Sequence, residues 1–307
     1  MASAVVFAYH DVGCRCLRVL LDERIEVPLV VTHRDRPDER IWFASVAELA
    51  RGRAIDTLTP DDPNKPEIVE RIRELRPDFL FSFYYRLMLG ARLLAIPGKG
   101  AFNMHGSLLP KYRGRAPVNW AIIHGETETG ATLHEMVEKP DAGRIVDQEA
   151  VAILPDELAV DVFAKVTGAA EGVLRRSLPK LLDGSAVLRA QDLSRGGYFG
   201  GRRPEDGRID WSAPAKRVHD LVRAVAPPYP GAFTEVEGTS LKVLRTRRRA
   251  QKSGAGARAF LYAEGGRCFA ACADGEVLEL LDLELDGRPL AAQEFANRIG
   301  DRRIPLH

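Results

Sequence analysis

Asn103 and His105 stand two residues apart in "FNMHGSLLPKYRGRAP", at the end of an apolar run. On an extended strand both side chains leave by one face and Met104 by the other. An amide N–H can hold an oxygen that is gaining charge. An imidazole, with an ordinary pKa of about 6.5, can exchange a proton near neutrality. A histidine closing a strand also serves as a satisfied structural residue, so the pair counts for more in its surroundings than alone. Downstream, "GSLLPKYRGRAP" has the composition of a long constrained loop feeding a helix N-terminus, where backbone amides favour anions. Arg113 and Arg115 add charge-assisted donors. In "EKPDAGRIV", Asp141 falls in a Pro/Gly turn between two strands. A carboxylate beside an imidazole would fix its tautomer and support the imidazolium. The same residue type also makes turns by bonding its own backbone.

Bringing such groups to one cleft requires a strand whose end opens to solvent. The first half of the chain alternates strands and helices. "AVVFAYHDVGCRCLRVLLDE" has the pattern strand, loop, helix: Val5, Val6 and Phe7 suit a strand covered on both faces, Gly13 permits the turn, and Leu17, Leu20 and Leu21 make a helical stripe. "IEVPLVVTH", "DFLFSFYYR" and "GAFNMH" are further strands, with short helices at "SVAELARGR" and "GARLLAI". "PEIVERIRELRP" is an amphipathic helix bounded by Pro66 and Pro77, and "APVNWAIIHG" a helix with Pro117 early and Gly125 as its stop. "TGATLHEMVE" and "GRIVDQEAVAI" are strands, and a long helix over 158–182 is interrupted by Gly168 and Gly172. This order predicts an α/β fold, a Rossmann-like, mostly parallel, doubly wound sheet, with its ligand crevice beyond the strand carboxyl ends. The first strand-to-helix turn, "AYHDVGCRCL", lacks G-x-G-x-x-G, which argues against a dinucleotide there.

Residues 192–208, "DLSRGGYFGGRRPEDGR", are glycine-rich and charged, as linkers and binding loops are. Beyond them come one helix, "PAKRVHDLVRAVA", and short strands with turn residues. The expected organisation is a catalytic domain over 1–191, a linker over 192–208, and a small, mainly β, barrel-like (OB-like) domain over 209–307. Residues 245–258, "RTRRRAQKSGAGAR", form a basic hairpin tip or loop in this reading.

A chain of 307 residues suits two domains, and a formal net charge of +1 argues against broad nucleic-acid binding driven by counterion release. Cys14 and Cys16 are spaced C-x-C, and Cys268 and Cys272 C-x-x-x-C; neither is the common paired zinc spacing, so reduced thiols and no metal are expected. The start "MASAVVFAYHDVG" has no basic n-region and no run approaches a membrane span, which points to the cytoplasm.

The run "FNMHGSLLPKYRGRAPVNWAIIHGETETGATLHEMVEKPDAGRIV" resembles the folate-dependent formyltransferases, the family of methionyl-tRNA formyltransferase and the sugar N-formyltransferases. Asn-x-His, Ser-Leu-Leu-Pro, Arg-Gly and a distant Asp-Ala-Gly occur in the family's order. Within it, "VVFAYHDVGC", "FSFYYR", "GGRRPEDG" and "VRAVAPPYPGAF" are most similar to the formyltransferase half of bifunctional polymyxin-resistance enzymes acting on UDP-4-amino-4-deoxy-L-arabinose.

The resemblance implies 10-formyltetrahydrofolate as donor and a sugar amine as acceptor, without a metal. Asn103 would hold the tetrahedral oxyanion, His105 would carry the proton, and Asp141 would orient and charge-tune His105. Arg115 and the stretch Val137, Glu138, Lys139, Pro140 and Asp141 match donor-binding positions, and Tyr85, Leu87 and Met88 would edge the pterin slot. Tyr112, Asn119, Arg202 and Arg203 are the candidates for the nucleotide sugar; the two arginines are chosen on charge, as partners for a diphosphate. The relatives usually carry a second, oxidative decarboxylase half. Its absence before His307 points to a piece of a bifunctional protein or to a separate decarboxylase or dehydrogenase partner. A homo-oligomer is left open.

The tRNA enzyme is the rival within the fold. It usually has His-Ala-Ser where this chain has His105-Gly106-Ser107, and a basic insertion where residues 33–43, "HRDRPDERIWF", are short and mixed in charge. Rivals of other classes are formyl-folate hydrolysis, which needs the same three side chains, and a non-enzymatic folate-binding role.

Overall fold

The apolar runs form strands and the segments between them helices. The computed structural model describes residues 1–37, 39–252 and 258–307. In chain order the elements are β1 (Ser3–Ala8), α1 (His10–Asp22), β2 (Glu26–Val31), α2 (Val46–Arg51), β3 (Asp56–Leu58), α3 (Pro66–Leu75), β4 (Phe79–Phe83), α4 (Ala91–Leu94) and β5 (Gly100–His105). There follow β6 (Arg113–Gly114), α5 (Pro117–Ile123), β7 (Glu128–Glu135), β8 (Ile145–Ala152), α6 (Ala159–Asp183) and β9 (Tyr198–Phe199). The remainder comprises α7 (Ala215–Val225), β10 (Ala232–Val236), β11 (Thr239–Lys252), β12 (Phe260–Glu264), β13 (Arg267–Ala271), β14 (Glu276–Leu285), β15 (Arg288–Ala291), α8 (Ala292–Ile299) and β16 (Ile304–Pro305).

These elements group into two compact units: Met1–Pro117, Thr129–Val151 and Ala164–Gly200 in one, and Val118–Glu128, Ala152–Phe163 and Gly201–His307 in the other. The boundary does not fall once, near residue 200. Two earlier segments join the second unit because their polar groups are satisfied there. Asn119 Nδ2 donates to the Ala224 carbonyl at 2.7 Å, and Arg223 Nη1 donates to the carbonyls of Leu154 and Glu157, each at 3.3 Å.

The first unit holds a Rossmann-like sheet in the order β3-β2-β1-β4-β5-β7-β8. Strands β1 to β5 pair in parallel and β7 runs antiparallel to β5. All five residues of β4 are buried, which is why "FLFSF" is nearly continuous rather than alternating. Phe79, Phe81 and Phe83 stack along it at 5.5 Å spacings, each worth about 1.5–3 kcal/mol of burial.

Four expectations are corrected. Gly13 does not make the first turn: it lies inside α1, and the left-handed residue is His10, at φ 67°. Gly13 is instead a close approach, since a Cβ there would sit 3.0 Å from Val46 Cγ2 and 3.1 Å from Ala8 Cβ. The long helix is not interrupted at Gly168 and Gly172; α6 is continuous, because buried Val162, Val166, Ala169, Ala170, Val173 and Leu174 outweigh about 1 kcal/mol per glycine. The segment 192–208 is not merely a linker: Tyr198 and Phe199 pair in parallel with Arg113 and Gly114. Residues 245–252 are not a loop but part of β11, paired with β14 through several register shifts that bend a 14-residue strand; residues 253–257 lie outside the described residues.

The second unit is an antiparallel, curled half-barrel sheet in the order β10-β11-β14-β13-β12-β16, with β15 added on β14. Trp211 is buried in this unit and donates from Nε1 to Thr234 Oγ1 at 3.0 Å. All four cysteines are buried free thiols, and burial pushes Cys14 up to about 11. Among the described residues no helix is long and apolar enough to cross a membrane.

Candidate active site

Strand β5 ends in Asn103, Met104 and His105, at the carboxyl edge of the first unit's sheet. Its antiparallel partner β7 sets Asn103 opposite His134, and His105 opposite Thr132. A cavity of about 430 Å³ opens there, wholly within this unit, and Asn103, His105, His134 and Asp141 all line it.

The hydrogen bonds assign the protons. His105 Nε2 lies 2.8 Å from the Tyr112 carbonyl, which can only accept, so Nε2 carries a hydrogen. That leaves Nδ1 as the basic atom of the neutral ring. Asp141 Oδ1 is 3.6 Å from this Nδ1 and 3.4 Å from His134 Nε2. Asp141 Oδ2 accepts from the Gly114 amide at 2.7 Å. Burial opposes the Asp141 charge, but positive charge on the His105 or His134 ring and the Gly114 N–H outweigh it and hold the carboxyl well below the usual range. The carboxylate thus backs the atom of His105 that would take a proton, whereas a backbone carbonyl, not Asp141, sets the tautomer.

The loop after β5 is tied to β7. Thr132 Oγ1 donates to the Ser107 carbonyl at 2.6 Å and accepts from the Leu109 amide at 3.2 Å. Ser107 Oγ donates to the Lys111 carbonyl at 2.6 Å. These bonds give the serine and the loop a fixed path to Tyr112, whose carbonyl meets His105. At Gly106 a Cβ would lie 1.9 Å from Tyr84 Oη, so only glycine lets that tyrosine close over the loop.

Of the residues expected at a donor site, Tyr85, Leu87, Met88, Arg115, Val137 and Pro140 line the cavity with Asp141. Glu138 and Lys139 are exposed and are not among the lining residues. Leu89, Leu94, Met104 and Met136 extend the apolar wall. The Tyr85 ring stacks on His33 at 4.2 Å between centroids, and its buried hydroxyl has no hydrogen-bond partner among the described residues. A flat, mostly apolar wall carrying a buried polar atom fits a planar heterocycle with hydrogen-bonding edges.

The residues expected on the acceptor side do not line this cavity. Tyr112 is buried in the first unit, its ring stacked on Phe199 at 5.2 Å. Asn119 is buried in the second unit. There, Arg202 places its guanidinium over Trp120 at 4.7 Å and donates to the Asp206 carbonyl at 2.7 Å, while the exposed Arg203 donates its backbone N–H to Asp206 Oδ2 at 2.7 Å.

Two lining histidines were not anticipated. His10 packs face to face on Phe43 at 3.9 Å and edge to face on Trp42 at 4.6 Å. His134 is 1% exposed, and its Nε2 lies 3.1 Å from Asn103 Nδ2. The polar–apolar alternation of "TLHE" hints that Thr132 and His134 share a face, but only strand register puts that face against Asn103.

Residues 14–178 match the family described as Formyl transferase, and residues 202–300 match Formyl transferase, C-terminal domain. Among solved structures, the N-formyltransferase from Helicobacter canadensis, in complex with folinic acid and dTDP-3-aminofucose, is 18% identical with a TM-score of 0.74, covering 91% of this chain and 99% of its own. WlaRD, a sugar 3N-formyl transferase solved with dTDP and 5-N-formyl-THF, is 17% identical with a TM-score of 0.69 over 91% of this chain and 97% of its own. HypX from Aquifex aeolicus, solved with tetrahydrofolic acid, is 18% identical with a TM-score of 0.63 and covers 97% of this chain and 46% of its own. At such identities these likenesses establish the fold. The first family match spans more than half of the 307 residues and the second follows it in the same order, so the chain belongs to the formyl transferase family.

Proposed function

We propose that this chain moves the formyl group of 10-formyltetrahydrofolate to the amine of a nucleotide-linked amino sugar, with UDP-4-amino-4-deoxy-L-arabinose as its acceptor. On that reading it serves the lipid A modification that confers polymyxin resistance. The observation that carries the reading is the convergence of Asn103, His105 and Asp141 on one cavity with an apolar, tyrosine-bearing wall. Support for a folate and a nucleotide sugar comes from the ligands of the two sugar N-formyltransferases of the same fold. The choice of sugar rests on the sequence blocks quoted above.

The donor supplies a formyl carbon attached to nitrogen. Asn103 donates an N–H to the formyl oxygen as the uncharged amine adds to that carbon and the C=O electron pair moves onto oxygen. His105 takes the proton from the amine at Nδ1, and the Asp141 carboxylate balances the resulting imidazolium. His105 then returns the proton to the folate nitrogen as the C–N bond breaks, giving a formamide and tetrahydrofolate. Arg115, Val137, Glu138, Lys139 and Pro140 remain candidates for the donor. Tyr112, Asn119, Arg202 and Arg203 remain candidates for the acceptor. Arg203→Ala should chiefly raise the acceptor KM; weakened folate binding with an unchanged acceptor KM would move this loop to the other substrate.

The test is incubation with 10-formyltetrahydrofolate and a panel of UDP- and dTDP-linked amino sugars and charged tRNA, with products read by mass spectrometry. A formylated amino sugar is expected. Release of formate alone would make the chain a hydrolase, and formylated tRNA at a steeply salt-dependent rate would make it the tRNA enzyme. Asn103→Ala and His105→Ala should each lower kcat by about two or more orders of magnitude. Near-native rates in both would remove these roles.

A further inference from the structure

His134 is buried on β7 beside the reacting groups, and the chemistry above does not use it. Its Nδ1 lies 2.8 Å from the Glu135 carbonyl. A carbonyl cannot donate, so Nδ1 carries the ring hydrogen and Nε2 of the neutral ring offers a lone pair. The Asn103 amide is 3.1 Å from that lone pair. Only its NH2 end can face it, because an amide oxygen there would meet lone pair with lone pair. One N–H of Asn103 is then held by His134, and the second remains for another acceptor. The strand register that sets Asn103 opposite His134 makes this contact part of the sheet rather than of a loop.

The geometry points to His134 as a positioning residue. It fixes which end of the Asn103 amide is presented to the substrate, so that an N–H and not a carbonyl oxygen meets the oxygen that gains charge. An amide left to rotate would spend part of its time presenting the wrong end, and a donor that is not preorganised loses much of its effect on the barrier. The ring touches Asn103 and, at 3.4 Å from the same Nε2, Asp141 Oδ1, but not the reacting atoms, so its removal should alter turnover and leave both substrate affinities alone.

This inference rests on the formyl-transfer reading, and a double-mutant cycle separates the two. His134→Leu keeps an apolar filling in the buried site without an acceptor; His134→Gln keeps an acceptor near the Nε2 position. Rates are measured for both variants in the native and the Asn103→Ala backgrounds, with unfolding midpoints as a check on the fold. His134→Leu should lower kcat about tenfold, in line with loss of one buried hydrogen bond, with both KM values unchanged. His134→Gln should recover most of that loss. The cost of His134→Leu should shrink once Asn103 is alanine, because the amide it orients is gone and only its contact with Asp141 remains. An undiminished cost in that background, equal losses for the leucine and glutamine variants, or no loss at all would overturn the inference. A native rate for Asn103→Ala by itself would instead sink the catalytic role of Asn103.

Discussion

His105 has one nitrogen committed to the Tyr112 carbonyl, and this commitment leaves Nδ1 of the neutral ring with its lone pair beside Asp141. His10, in the same wall, is governed by a different physics. Burial, and then the Arg86 guanidinium, push its pKa down to about 3. His33 is pushed down to about 4 by the same two causes. In the unfolded chain each titrates near about 6.5. Between these values the unfolded state binds the extra proton, so the contribution of the neutral rings is complete above about pH 6.5 and falls away as the pH drops through the folded values. His10→Gln cannot titrate, so its unfolding midpoint should fall less steeply than that of the native protein over this range. Thermal unfolding at a series of pH values checks this; identical slopes would refute it.

Strands β5 and β7 and the loop that follows β5 act as one element. Thr132 anchors the loop from the same face of β7 that carries His134, and Tyr84 closes over it at Gly106. Gly106→Ala would drive a methyl into Tyr84 Oη, 1.9 Å from the Cβ position, with the ring carbon Cζ next at 3.0 Å. Overpacking of this kind costs about 1–3 kcal/mol, and here the displaced atoms border the cavity. We expect Gly106→Ala to lower both the unfolding midpoint and kcat/KM, and Tyr84→Phe in the same chain to restore part of each by removing the clashing oxygen. A fully active, fully stable Gly106→Ala would show that the tyrosine yields without cost.

In the whole molecule, the second unit depends on charges in its own interior. Asp220 and Arg223 are 4% and 5% exposed, and their side chains meet at 2.8 Å on α7. Arg223 also donates to the carbonyls of Leu154 and Glu157, so the pair ties an earlier stretch of chain to the α7 helix. Asp220→Ala leaves the guanidinium buried without its counter-charge, which typically costs about 3–5 kcal/mol. Replacing both residues with apolar side chains should cost less than the single change. Denaturant unfolding of the single and double variants measures both, and a single variant with native stability would contradict the account.

The sequence by itself determined what local chemistry determines. The unbroken apolar runs became strands of a mostly parallel sheet, and Asn103 and His105, two apart on a strand, had to share a face. The family blocks named the reaction class. What it left open depends on distance in three dimensions. The left-handed residue fell on His10 rather than Gly13, because the helix needed a glycine to approach Ala8 and Val46. Residues 245–252 looked like a charged loop, and paired as a bent strand because β14 lay beside them. His134 reached Asn103 only through the register of two strands separated by 22 residues of intervening chain, between β5 ending at His105 and β7 starting at Glu128. Periodicity reports which residues share a face of one element; which faces meet is decided by packing the whole sheet, and that is a property of the tertiary structure alone.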